Sequence, residues 1–127
     1  MSEPQELGKV EISDSVIGTI SGVAVSAIEG IAGMRGTFID GLKQATTGKK
    51  DFSAGVEVRR DQDGKKFQID LYIIVDFNAN IMEIAGRAQK AVKQKVEEIT
   101  SIAVSAVNIH ISDIRLPESL IEKPAEE

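Results

Sequence analysis

Between Lys66 and Phe77 apolar residues recur at every second position: Phe67, Ile69, Leu71, Ile73, Val75 and Phe77 share one side, and Lys66, Gln68, Asp70, Tyr72, Ile74 and Asp76 the other. A period of two puts successive side chains on opposite faces of a strand, so this segment predicts a long strand with one buried and one wet face. The preceding "VEVRR" reads as its hairpin partner, because Asp63-Gly64 supplies two turn positions that tolerate positive φ. After Phe77 the period changes. Ile81, Ile84, Ala85, Ala88, Val92, Val96 and Ile99 recur at steps of three and four, which predicts a helix. Asn80 can cap it with Glu83 as capping-box partner, and Glu83/Arg87 and Lys93/Glu97 stand at i,i+4 on its polar face.

An earlier stretch has the same helical period through Val16, Ile17, Ile20, Val23, Ala24, Ala27 and Ile28, with Ser13 in the N-cap position. It contains Gly18 and Gly22, each costing about 1 kcal/mol against alanine in a helix interior. Either backbone packs close against this helix or tertiary contacts hold it. Shorter alternations predict strands at Gly8 to Ile12, at Ile31 to Met34 and through Val107, Ile109 and Ile111. Residues 30 to 55 hold six glycines and a short amphipathic piece around Phe38, Ile39 and Leu42, and read as a long connection. The order strand, helix, strand, loop, hairpin, helix, strand predicts an α+β fold. It is a two-layer sandwich, with two main helices packed on one face of a mixed sheet of about four to five strands.

With 127 residues, 42% of them apolar and 28% charged, the chain suits one domain with one core. That domain is expected over residues 8–116, between flexible acidic tails at 1–7 and 117–127. The tails carry −2 and −3 of the formal net charge of −5, so the body is neutral and the acidity says nothing about anionic partners. There is no cysteine, hence no disulfide, thiolate metal site or cysteine nucleophile, which fits a reducing compartment. The N-terminus lacks a signal-peptide pattern and no apolar run approaches the roughly 18 residues of a membrane span, so a cytoplasmic protein without a span of its own is expected.

Candidate chemistry is sparse. His110 is the one histidine and has no nucleophile or carboxylate set beside it in sequence, so it reads as an ordinary surface or edge residue. "DQDG" begins like a calcium loop but runs into Lys65 and Lys66 where further oxygen ligands are needed, and reads as a turn. Gly33, Met34, Arg35 and Gly36 match the Gly-x-x-Gly loop with which KH modules grip a nucleic-acid backbone, although such a loop joins two helices and this one follows a predicted strand. Arg59, Arg60, Lys65 and Lys66 flank the hairpin turn and are candidate contacts for an anionic partner, lipid or RNA; Asp61 and Asp63 partly cancel them. One Tyr, four Phe and no Trp give no visible platform for stacking bases. No nucleotide-binding, nucleophile-elbow or zinc-protease motif occurs. No catalytic, cofactor-binding or metal-ligating residue is therefore assigned, and an enzyme is not expected.

Taken together, the opening Gly-x-Val-x-Ile-Ser, the Glu-Gly-Ile-Ala-Gly after the first helix, the Gly-Val before the hairpin, the strand ending before Asn80-Ile81 and the closing Val-Asn-Ile-x-Ile-x-x-Ile carry a resemblance. Over Gly8 to Leu116 the chain resembles the alkaline shock protein twenty-three / Gls-twenty-four family of bacterial envelope stress proteins. It departs at Phe77-Asn78-Ala79, where many members of that family have a Tyr-Gly before the Asn-Ile pair, which bears on the turn into the second helix. The resemblance implies a non-enzymatic, cytoplasmic protein of envelope homeostasis or stress tolerance in Gram-positive-type bacteria. It also implies a homo-oligomer, with a membrane-anchored protein as a partner at the inner membrane face. The last strand offers an edge for strand addition, and Tyr72 with Ile74 either form an apolar foothold or pack under the long loop. The alternative is a KH-like RNA-binding module using Gly33 to Gly36 and the basic hairpin end.

Overall fold

The structure is a computed structural model that describes residues 7–35, 52–62 and 64–121. The amphipathic piece around Phe38, Gly36, Asp63 and most of both tails lie outside the described residues. The elements are α1 (Asp14–Ser26), β1 (Ile31–Met34), β2 (Val56–Arg60), β3 (Lys66–Asp76), α2 (Ile81–Thr100), β4 (Ala103–Arg115) and the single turn α3 (Glu118–Ile121).

β3 is the axis of the sheet. β1 and β2 pair with it antiparallel, and β4 pairs with it in parallel, so the four-stranded sheet is mixed as expected. Tyr72 donates its N–H to Gly55 O and accepts at its own carbonyl from the Arg35 N–H, both at 2.9 Å. Because both groups of one strand residue point the same way, β2 and β1 lie end to end along one edge of β3, and β4 runs along the other. A parallel neighbour requires a long crossover, which α2 supplies.

Phe67, Ile69, Leu71, Ile73 and Val75 form a fully buried row on the helix-facing side of β3. Ile17 and Val25 of α1 and Ala88, Val92 and Val96 of α2 close over them, giving the expected two layers. Both predicted caps are present: Ser13 Oγ accepts from the Val16 N–H, and Asn80 Oδ1 from the Glu83 N–H. The Glu83 carboxylate pairs with Arg87 at 3.0 Å.

The expected strand at Gly8 to Ile12 is not formed. Val10 is 86% exposed, and the carbonyl of Ile12 accepts from the Arg60 guanidinium at 2.7 Å, not from a ladder. Arg60 also pairs with Asp14 at 3.1 Å, so one side chain ties this segment to the end of β2 and removes the incentive for strand pairing.

The glycines of α1 are explained by backbone approach. A Cβ on Gly22 would sit 1.8 Å from the Phe52 carbonyl oxygen, and one on Gly18 would lie 3.1 Å from Ser53 Cβ. The chain returning to β2 rests on this glycine face. Gly22→Ala is therefore expected to cost about 1–3 kcal/mol through forced backbone displacement. Gly86, in α2, has nothing within 4 Å of its would-be Cβ, and Gly86→Ala should gain about 1 kcal/mol from helix propensity. Urea denaturation of the two variants checks the pair; a neutral Gly22→Ala would contradict the close approach.

Candidate functional site

Two features of the sheet stand out as surfaces a partner could use: the face that no helix among the described residues covers, its helix-free face, and the outer edge of β4. The helix-free face is less wet than the alternation suggests. Asp70 and Ile74, both on it, are only 4% and 7% exposed. Ile74 is thus packed away and is not an apolar foothold.

Asp70 is the hub of this face. Its carboxylate accepts from Arg59 on β2 and lies 3.1 Å from His110 Nε2 on β4, with the Asn108 side chain beside it also favouring its charge. Strand pairing makes this possible, since Tyr72 is opposite His110 and Asp70 is opposite Asn108. The Tyr72 and His110 rings stack with centroids 4.5 Å apart and 12° between their planes, and the Arg35 guanidinium lies 4.1 Å over the Tyr72 ring. Arg35, Tyr72 and His110 thus form a row across the sheet. His110, which sequence reasoning set aside as ordinary, is organised by a residue 40 positions away. The only local sign was that both residues occupy the polar side of predicted strands.

Burial works to raise the Asp70 pKa, but the bonds from His110, Arg59 and Asn108, together with the Arg59 charge, prevail and hold it below the usual carboxylate value. Hydrogen bonding to Asp70 first, and then its charge, raises the Arg59 pKa in return.

The outer edge of β4 is half covered. Two register shifts, beside Phe67 and beside Ile73 of β3, interrupt the ladder. At each, a serine bridges the gap: Ser105 Oγ and Ser112 Oγ donate to the carbonyls of Phe67 and Ile73, both at 3.2 Å. These bonds fix which way β4 points its backbone, so that Val104, Val107, Ile109 and Ile111 direct their N–H and C=O groups outward. Side chains of α2 occupy the first part. Glu97 accepts from the Val104 N–H at 2.8 Å, Lys93 donates to Val104 O at 3.1 Å and Gln89 to Val107 O at 3.0 Å. The Val104 N–H, then Lys93, lower the Glu97 pKa. No such cover reaches Ile109 or Ile111 among the described residues.

The basic residues picked out in the sequence are not gathered. Arg59 faces the helix-free side in its bond to Asp70, whereas Arg60 turns to Asp14 and lies 4.8 Å from the Phe67 ring on the helix side. Lys65 and Lys66 are exposed at the hairpin end. Gly33 and Met34 belong to β1, paired with Ile74 and Ile73, with Met34 buried; Arg35 is in the turn that follows, and Gly36 lies outside the described residues. No helix among the described residues is long and apolar enough to cross a membrane.

A family model described as the Asp-twenty-three family, of cell envelope-related function, matches residues 2–116. The chain belongs to this family. It is 38% identical to YqhY of Bacillus subtilis (strain 168) over 113 residues, 89% of this chain and 82% of that protein. It is also 38% identical to YloU of the same organism over 111 residues, 86% of this chain and 90% of that protein. A Streptococcus pyogenes serotype M3 protein named stress response regulator gls24 homolog is 27% identical over 111 residues, 87% of this chain and 61% of that one. A cell envelope-related function therefore stands for this chain as a member of the Asp-twenty-three family. At its departure from the family pattern, the turn into α2 still closes: the Ala79 N–H donates to Asp76 O at 3.0 Å and Asn80 retains the cap.

Because the Asp70 pKa is lower folded than unfolded, its contribution is fully present above the unfolded value of about 3.9 and disappears as pH falls through the lower folded value. Asp70→Asn should cost about 1–3 kcal/mol at neutral pH, in the range of bonds to charged groups. It should also flatten the loss of stability below about pH 4, where Glu97 still titrates. Urea midpoints at several pH values measure both effects, and an unchanged acid limb would remove Asp70 as their source.

Proposed function

We propose that this chain serves the cell envelope through protein contacts and not through catalysis, by associating with itself and by binding a membrane-anchored protein at the inner face of the membrane. The observation that carries this reading is the outer edge of β4, where α2 side chains cover both groups of Val104 and the carbonyl of Val107 while Ile109 and Ile111, among the described residues, keep unpaired strand groups turned outward. Exposed edge groups are a template for another strand, and proteins that must remain monomeric usually blunt them. The family's envelope-related function supports the anchored partner. The polar groups of the helix-free face support a contact role over acid–base chemistry. Asp70, the buried carboxylate of that face, is committed to Arg59 and His110 and is not held as a free base.

Light scattering coupled to size exclusion, run over a range of protein concentration and salt with nucleic-acid absorbance followed, tests the reading. Mass that grows with concentration and carries no nucleic acid is the expected result. A monomer at every concentration ends the self-association part. Co-eluting nucleic acid, released by salt and lost on Arg35→Asp, would replace it with the KH-like reading through Gly33 to Gly36 and the hairpin end.

A further inference from the structure

We propose that two copies of the chain join by antiparallel pairing of their β4 edges, with the two-fold axis passing at His110. This rests on the self-association reading above and specifies its interface.

The geometry of the free edge selects the register. Ile109 and Ile111 present two N–H and two C=O groups outward between Val107, whose carbonyl Gln89 occupies, and Ser112, where the second register shift breaks the strand. In an antiparallel pair, residues facing each other alternate between those exchanging two backbone bonds and those exchanging none. Centring the pair on His110 sets Ile109 of one copy against the partner's Ile111, and Ile111 against the partner's Ile109. All four outward groups of each copy are then used. Moving the axis to Asn108 or Ile109 would bring Val107 into the ladder and displace Gln89. Moving it to Ile111 or Ser112 would run the ladder into the bulge. His110 is the centre that uses the open groups and disturbs neither flank.

Side chains agree with this register on both faces. Ile109 and Ile111 pack at the margin of the core, so their pairing with the partner's Ile111 and Ile109 extends the apolar layer under the helices. On the helix-free face His110 meets the partner's His110 at a position without backbone bonds, where strands approach closest. Its ring, already held by Asp70 and stacked on Tyr72, continues the row of Arg35 and Tyr72 into the second copy. The antiparallel sense also carries Ile114 and Leu116, 39% and 43% exposed, toward the partner's Val104 to Val107 segment, which the partner's α2 overhangs. Two apolar side chains left in water by one copy thereby gain a neighbour.

Because the chain has no cysteine, single-cysteine variants of the full chain report the register directly. Cα atoms at the central position would be about 4.5 Å apart, within the span a disulfide bridges. His110→Cys should form a covalent dimer under mild oxidation, while Asn108→Cys should not. Ile111→Pro removes one outward N–H and no inward ladder bond, so concentration-dependent mass should be lost with the circular dichroism retained. If Ile111→Pro unfolds the chain, the cysteine comparison decides alone. Mass that still grows with concentration, but with cross-linking no faster at 110 than at 108, overturns the β4 interface and leaves self-association standing. A wild-type monomer at all concentrations overturns both.

Discussion

Every other element of this fold is placed by β3. Its helix-facing row from Phe67 to Val75 is fully buried, its one edge is shared end to end by β2 and β1, and its other edge is paired along nearly its whole length by β4. A strand enclosed in this way cannot slip by one residue without turning five large side chains to the wrong face. That constraint fixes the register of His110 against Tyr72 and of Asn108 against Asp70. The polar cluster of the open face is a consequence of core packing on the opposite side.

The crossover helix has two tasks that pull on different residues. Its apolar stripe, Ile84, Ala88, Val92 and Val96, covers the sheet, while Gln89, Lys93 and Glu97 lean over the edge of β4 and take up backbone groups that would otherwise face water. The stretch from Phe67 to Thr100 looks in sequence like a strand and helix lacking chemistry at their junction. In the fold it is the first two-thirds of a β-α-β unit, and its polar residues are spent on the backbone of the strand that follows.

Local signals carried most of the architecture. Period-two and period-three-or-four patterns located β3, α1 and α2, the caps at Ser13 and Asn80 were legible, and Gly18 and Gly22 left open a close approach or tertiary support; the fold shows the close approach, to Phe52 and Ser53, which the sequence could not name. What escaped reading depends on distance in the chain. Asp70 and His110 meet only because β4 returns beside β3, and Arg60 reaches Asp14 only because β2 ends beside the start of α1. The failed strand at Gly8 to Ile12 has the same origin, because alternation of two apolar residues is weak and a single Arg60 bond to Ile12 O suffices to hold the segment elsewhere. Ser105 and Ser112 look like ordinary polar positions until the register shifts show each hydroxyl standing in for a ladder bond.

The way charge is distributed bears on how such a domain recognises anything. Arg59 is matched to Asp70, Arg60 to Asp14, Arg87 to Glu83, Lys93 to Glu97 and Arg115 to Asp76. With these five pairs closed within the fold and the body neutral in sum, the domain projects little net field to steer a charged partner from a distance. Selectivity then has to arise at contact, from groups that only a correctly placed neighbour can satisfy. Unpaired strand backbone is of that kind: its bonds are directional, are made at one spacing and are lost if the incoming strand is out of register. The α2 side chains that cover Val104 and the Val107 carbonyl leave Ile109 and Ile111 with both groups open, and by shortening the edge they restrict which registers a second strand can take.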